Sequence, residues 1–275
     1  MNELRISLVQ ADIFWEDKER NLEYYGNLLK KLSAGSDLAV LPEMFSTGFS
    51  PQAFRLAETN EETTVQTIRL WAKEYDLAVC GSFLAKEDSD RIFNRGFFIE
   101  PDGNVWFYDK RHLFRMGLEQ ERFIAGNRQV IVPYKGWNIR LIICYDLRFP
   151  VWVRNRKNEY DLLVCPANWP TARANVWQTL LVARALENQC YVCGVNRIGE
   201  DGNSIDHQGD SVLIDFKGNR IAETLLREES TVTAVLQKDR LDDFRERFPV
   251  WMDADDFEIY NKDCTFVKQY KHIKN

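Results

Sequence analysis

The sequence predicts an α/β fold, and three observations carry that prediction. From Leu4 to Leu84 the apolar residues fall into the order strand, helix, strand, helix, strand. Further along, short apolar runs face each other across Pro101-Asp102-Gly103-Asn104, Lys135-Gly136 and Phe216-Lys217-Gly218-Asn219, which are hairpin signals. Finally, 45% of the 275 residues are apolar, with 17 Phe, 10 Tyr and 8 Trp, enough for a sizeable core.

The elements follow in order. Residues 4–10 alternate as Leu4, Ile6 and Leu8 against Arg5 and Ser7, a half-buried strand. Residues 17–32 place Leu22, Tyr25, Leu28, Leu29 and Leu32 at helical spacing, and 37–41 form a short apolar strand ending at Pro42-Glu43. A second helix carries Val65, Ile68, Trp71 and Tyr75 on one face, and 77–84 reads as a buried strand. Residues 92–100 and 105–109 form the first hairpin, and 129–134 and 138–143 the second. A strand at 162–165, a helix at 175–189 and a strand at 191–195 restore the crossover pattern. The third hairpin joins 211–215 to 220–224, a last strand spans 231–236, and a charged helix runs over 238–247.

The organisation expected is one domain over 1–247 followed by an aromatic tail, 248–275. No repeat or Pro/Gly/Ser-rich linker divides the chain, and Trp251, Phe257, Tyr260, Phe266 and Tyr270 call for packing on the domain or on a partner. The balance of 36 basic against 42 acidic residues, net −6, argues against a general nucleic-acid coat. No run approaches the ~18 apolar residues of a membrane span. Met1-Asn2-Glu3-Leu4-Arg5 enters the first strand without a signal-peptide core, so a cytoplasmic location is expected. A core of this size needs no disulfides, so Cys80, Cys144, Cys165, Cys190, Cys193 and Cys264 are expected as free thiols. Cys190 and Cys193 read as core residues, because thiols three apart on a strand face opposite sides.

Three reactive groups share one setting. Glu43 follows Leu38-Ala39-Val40-Leu41-Pro42, Lys110 follows Val105-Trp106-Phe107-Tyr108-Asp109, and Cys144 follows Ile139-Arg140-Leu141-Ile142-Ile143. Each stands just past an apolar strand run, where sites of α/β sheets form. A thiol needs a base to become a nucleophile, and the chain has only three histidines, His112, His207 and His272. Glu43 can be that base. Lys110 would lower the thiol pKa and, with the Tyr145 backbone N–H, stabilise an oxyanion. Such a set attacks an amide carbon, forms a thioester and releases ammonia with no metal and no cofactor. The scarcity of His argues against a metal-dependent hydrolase. His112 reads as a hydrogen-bonded structural residue.

Leu41-Pro42-Glu43, Lys110-Arg111-His112-Leu113 and Cys144-Tyr145-Asp146-Leu147-Arg148-Phe149-Pro150 resemble the three signatures of the nitrilase superfamily of carbon–nitrogen hydrolases. The resemblance continues through Pro166-Ala167-Asn168-Trp169-Pro170, Ala183-Arg184-Ala185-Leu186-Glu187-Asn188, Gly194-Val195-Asn196-Arg197 and Gly209-Asp210-Ser211. It implies a four-layer α-β-β-α sandwich pairing as α-β-β-α-α-β-β-α in a homodimer or higher homo-oligomer. It also implies Cys144 as nucleophile, Glu43 as general base and Lys110 as oxyanion stabiliser. A second glutamate is implied shortly before Ala125-Gly126, with Glu119 the best fit by spacing and Glu121 the close alternative. One departure is Val176-Trp177, where relatives often carry His-Trp.

Tyr145-Asp146-Leu147-Arg148-Phe149-Pro150 together with Asn168-Trp169-Pro170 looks most like omega-amidases, which implies a small-molecule amide such as 2-oxoglutaramate or 2-oxosuccinamate as substrate. The far carboxylate of such a substrate needs a cation, for which Arg173 is the first choice and Arg148 the second. Arg148 is read first as a structural ion pair with Asp146 or Glu187. Tyr145, Phe114 and Trp169 are candidate pocket walls, with ordinary core packing as the alternative. The rival substrates are N-carbamoyl amino acids or other aliphatic amides, and the rival class is a non-catalytic binding protein on the same fold.

Overall fold

A computed structural model describes residues 2–88 and 91–260. The chain runs β1 (Glu3–Gln10), α1 (Lys18–Lys30), β2 (Leu38–Val40), α2 (Ala53–Leu56), α3 (Thr63–Tyr75), β3 (Ala78–Glu87), β4 (Arg91–Ile99) and β5 (Val105–Asp109). It continues through β6 (Ile131–Tyr134), β7 (Trp137–Leu141), α4 (Pro150–Val153), β8 (Leu162–Ala167), α5 (Ala174–Asn188) and β9 (Tyr191–Asn196). The last elements are β10 (Ile198–Glu200), β11 (Asp206–Gln208), β12 (Val212–Ile214), β13 (Arg220–Glu223), β14 (Ser230–Gln237) and α6 (Lys238–Arg247).

Two six-stranded mixed sheets result, ordered β14-β1-β2-β3-β4-β5 and β13-β12-β9-β8-β7-β6. The period of two along each strand sorts side chains between layers. Leu4, Ile6 and Leu8 of β1, Leu38 and Val40 of β2, and Ala78 and Cys80 of β3 join the core shared with the second sheet. Their odd-numbered neighbours Val9, Ala39 and Val79 face outward, under Leu22, Tyr25 and Leu29 of α1 and Val65, Ile68 and Trp71 of α3. On the second sheet, Trp177, Leu181 and Ala185 of α5 complete the other outer layer. The expected α/β sandwich of two sheets flanked by helices is therefore present. Each large apolar side chain so buried contributes about 1.5–3 kcal/mol.

Local chemistry sets the ends. Asp17 caps α1 by accepting the Arg20 backbone N–H at 3.2 Å. Asp76 ends α3 in the left-handed region at φ +48°. Cys190 precedes β9 rather than lying on it, and Cys193 lies on β9; both are buried free thiols. Within the tail, Ile259 packs on the core and Phe257 lies under Arg156 at 6.0 Å. Cys264, Phe266, Tyr270 and His272 lie outside the described residues.

Candidate active site

Glu43 leaves β2 through Leu41-Pro42, and Lys110 is the first residue past β5. These two strands run in the same direction in one sheet, so both side chains emerge at one edge. Cys144 and Asn168 follow β7 and β8, parallel neighbours of the other sheet. The gap between the sheets brings the four together.

Lys110 Nζ donates to Glu43 Oε1 at 2.8 Å and lies 3.0 Å from Glu119 Oε2. Glu43 Oε2 accepts the Asn168 backbone N–H at 2.8 Å, and the Asn168 side chain donates to the Glu43 carbonyl at 2.6 Å. The Asn168 carbonyl in turn lies 3.9 Å from Cys144 Sγ. Glu43, Lys110 and Glu119 are all buried, whereas Glu121 is exposed. Glu119 Oε2 also accepts the Phe114 backbone N–H at 2.5 Å. Of the two alternatives for a second carboxylate, Glu119 reaches the cluster.

The electrostatics follow from burial. Burial alone would discharge Lys110, but the Glu119 and Glu43 carboxylates outweigh it and hold the ammonium well above its ordinary pKa. Burial, with the Glu43 charge, holds Glu119 above the usual carboxylate range although Lys110 opposes it. Burial and then Glu43 push the Cys144 thiol well up. Lys110 does lower it, as expected, but is outweighed, so the expected net lowering does not occur. A thiol in this setting reacts by handing its proton to a neighbour.

Cys144 begins a 3-10 turn, Cys144–Arg148, and has φ +42°. A non-glycine residue there costs about 1–3 kcal/mol of strain and is held by its surroundings. Here the holder is Asp146, fully buried, which accepts the Ile143 N–H at 3.1 Å, the His112 N–H at 2.8 Å and the Tyr108 hydroxyl at 2.7 Å. His112 adds a ring contact at 2.8 Å and stacks on Phe149 at 3.7 Å, so it is hydrogen-bonded as expected.

Glu43, Lys110 and Cys144 line a cavity of about 420 Å³ whose walls include Phe114, Tyr145 and Trp169. Arg148 and Arg173 line it too. The expected ion pair of Arg148 is absent. Asp146 is engaged as above, and Glu187 pairs with Arg184 at 2.7 Å, while Arg148 lies over Trp169 at 5.1 Å. Arg173 lies over Phe114 at 5.4 Å. Neither guanidinium has a carboxylate within salt-bridge reach among the described residues. Sequence reasoning missed Asn94, Arg122, Phe49 and the β10–β11 hairpin, whose His207 faces the cavity. The one signal for Asn94 was a polar residue at an inward strand position. Among the described residues no cluster of His, Cys, Asp and Glu is arranged to hold a metal ion, and no helix is long and apolar enough to cross a membrane.

The carbon-nitrogen hydrolase family model matches residues 5–246. The chain is 42% identical over 257 residues to the omega-amidase YafV of Escherichia coli K12, covering 94% of this chain and 99% of that protein. It is 31% identical over 252 residues to the 2-oxoglutaramate amidase of Bacillus subtilis 168, covering 90% and 96%. The crystal structure of XC1258 from Xanthomonas campestris, a CN-hydrolase superfamily protein with an arsenic adduct in its active site, superposes with a TM-score of 0.92 at 44% identity, covering 94% of this chain and all of that one. With its two-sheet sandwich, this chain belongs to the carbon-nitrogen hydrolases of the nitrilase superfamily and is a hydrolase of non-peptide carbon–nitrogen bonds.

Proposed function

We propose that the protein is an omega-amidase that hydrolyses the terminal amide of 2-oxoglutaramate or 2-oxosuccinamate. The observation that carries this reading is the contrast within one cavity. A buried Glu43-Lys110-Cys144 cluster lines it, and so do Arg173 and Arg148, which stand on aromatic walls without carboxylate partners among the described residues. The first suits an amide carbon and the second a carboxylate. Relatives named omega-amidase and 2-oxoglutaramate amidase support amide hydrolysis of 2-oxoglutaramate.

In this mechanism Glu43 takes the thiol proton as Cys144 Sγ attacks the amide carbon. Lys110 and the Tyr145 N–H meet the oxyanion. Collapse breaks the carbon–nitrogen bond, Glu43 passes its proton to the departing nitrogen, and ammonia leaves a thioester on Cys144. Glu43 then takes a proton from water, which attacks the thioester carbon. Collapse of this second tetrahedral intermediate breaks the carbon–sulfur bond, Glu43 returns its proton to the Cys144 sulfur, and the 2-oxo dicarboxylate and the free thiol are the products. Glu119 steadies Lys110, and Arg173, assisted by Arg148, holds the substrate carboxylate. Phe114, Tyr145 and Trp169 form the walls.

The reading extends to a cytoplasmic homodimer built from the 1–247 domain, with the tail packed on the domain or on the partner. Free Cys80, Cys144, Cys165, Cys190 and Cys193 suit a reducing compartment. Exposed Leu186 on α5 and Phe248 after α6 supply apolar area for pairing.

The test is ammonia release from 2-oxoglutaramate beside Gln, Asn, an N-carbamoyl amino acid and a nitrile, with Cys144→Ala as blank. Preferential, Cys144-dependent turnover of 2-oxoglutaramate supports the reading. Preference for another amide retires the substrate and the Arg173 role, and no turnover of any leaves either an amide outside this panel or a fold that no longer catalyses.

A further inference from the structure

Asn94 has no part in the mechanism above, yet it touches most of the machinery. It lies on β4 at the same inward parity as Phe98, and it is fully buried. Its backbone carbonyl accepts the Lys110 N–H at 2.9 Å, which fixes where that lysine leaves the sheet. Its Nδ2 donates to Glu43 Oε1 at 2.7 Å and stands 3.4 Å from Glu119 Oε1. The amide nitrogen therefore bridges the two carboxylates on the side where Lys110 also reaches them.

We infer that Asn94 is a positioning residue that yokes Glu43 to Glu119 while the proton moves on and off Glu43. Two buried carboxylates against one ammonium leave an excess negative charge, and a neutral N–H donor shared by both offsets their repulsion without cancelling the charge of either. When Glu43 gains the thiol proton, its need for donors falls and the same N–H can serve Glu119. When Glu43 returns the proton to the leaving nitrogen, the donor is already in reach. Asn94 itself transfers no proton. The buried Oδ1 has no hydrogen-bond partner among the described residues, so the contacts of Asn94 to the cluster all run through Nδ2 and the backbone carbonyl.

The inference rests on the reading of Glu43 as base. The charged and titratable groups around the pair are Lys110 and Cys144, with Arg122, Tyr145, Arg148, Arg173, Asp201 and His207 also lining the cavity. The test compares kcat and KM for 2-oxoglutaramate across pH in the wild type, Asn94→Asp, Asn94→Ser and Glu43→Gln, each checked for fold by circular dichroism. Asn94→Asp keeps the volume and replaces the donor with a third acceptor. Losing a donor disfavours the charged carboxylates, so the acid limb of kcat/KM should move to higher pH by about one unit in Asn94→Asp. Its kcat should fall at least about tenfold while KM stays within about threefold. Asn94→Ser, which keeps a shorter hydroxyl donor, should fall between. Folded Asn94 variants with the wild-type pH profile would overturn the inference, even if their rates were reduced. If Glu43→Gln kept wild-type turnover, the base reading would fail and take the inference with it. An inactive Glu43→Gln beside unshifted Asn94 variants would reject the inference alone.

Discussion

The His112 backbone N–H donates to Asp146 Oδ1 at 2.8 Å, joining the segment just after Lys110 to the turn that begins at Cys144. Asp146 is fully buried and meets four donors or ring contacts, from Ile143, Tyr108 and His112. Asp146→Ala would leave these groups buried without their acceptor, which typically costs about 3–5 kcal/mol. The expected outcome is a marked drop in urea midpoint, together with lost ammonia release as Cys144 relaxes from φ +42°. Unchanged stability would show that the turn holds itself.

Arg173 and Arg148 should act on binding more than on chemistry. A charge-assisted bond worth about 1.5–3 kcal/mol corresponds to about 10–150-fold in affinity. Arg173→Ala should raise KM for 2-oxoglutaramate within that range, and Arg148→Ala by less. Turnover of a short aliphatic amide lacking a carboxylate should be unaffected in both. Steady-state kinetics on the two substrates decide it, since equal losses on both would point to a damaged pocket.

The thiol's reactivity should depend on its neighbour rather than on its own acidity. Burial and then Glu43 push the Cys144 pKa well up. Alkylation by iodoacetamide at about pH 7 should therefore proceed through proton transfer to Glu43 and slow by about 100-fold or more in Glu43→Gln. Mass spectrometry of the Cys144 peptide gives the rate. An equal rate in both proteins would remove Glu43 as the base.

His207 links the cavity wall to acid stability. Burial, reinforced by Arg197, pushes its pKa down to about 4, against about 6.5 in an unfolded chain. The folded state thus prefers the neutral ring. This stability is fully present above about pH 6.5 and is lost as pH falls towards about 4, because the unfolded chain binds the proton first. The loss amounts to about 3 kcal/mol at its limit. Urea unfolding across this window should show a shallower decline in His207→Gln than in the wild type.

Much of this was legible in the sequence because period-two alternation marks strand ends well. Glu43, Lys110 and Cys144 each follow an apolar run, and in the fold they stand just beyond β2, β5 and β7 respectively. What alternation could not show was which ends meet. The parallel pairing of β2 with β3 and of β7 with β8 is a tertiary fact. The β10 and β11 strands escaped notice because Ile198-Gly199-Glu200 and Asp206-His207-Gln208 hold one apolar side chain between them, unlike the equally short but wholly apolar β2 and β12. Arg148 misled for another reason: Arg184, one turn earlier on the same helix, reaches Glu187, and donors from Tyr108, His112 and Ile143 fill Asp146. Asn94 is a polar residue inside an otherwise largely apolar strand, and its link to Glu43 is visible only in the folded chain.

The cluster straddles a joint. Glu43, Asn94 and Lys110 belong to one slab of the molecule, and Cys144 and Asn168 to the other. The Asn168 contacts to Glu43 are among the polar ties across that joint at its mouth. A covalent adduct on Cys144 that also engages Lys110 would act as a rivet between the slabs. Hydrogen exchange in β2 and β5 on one side and in β7 and β8 on the other should then slow together when the thioester forms, although no chain segment links those strands directly.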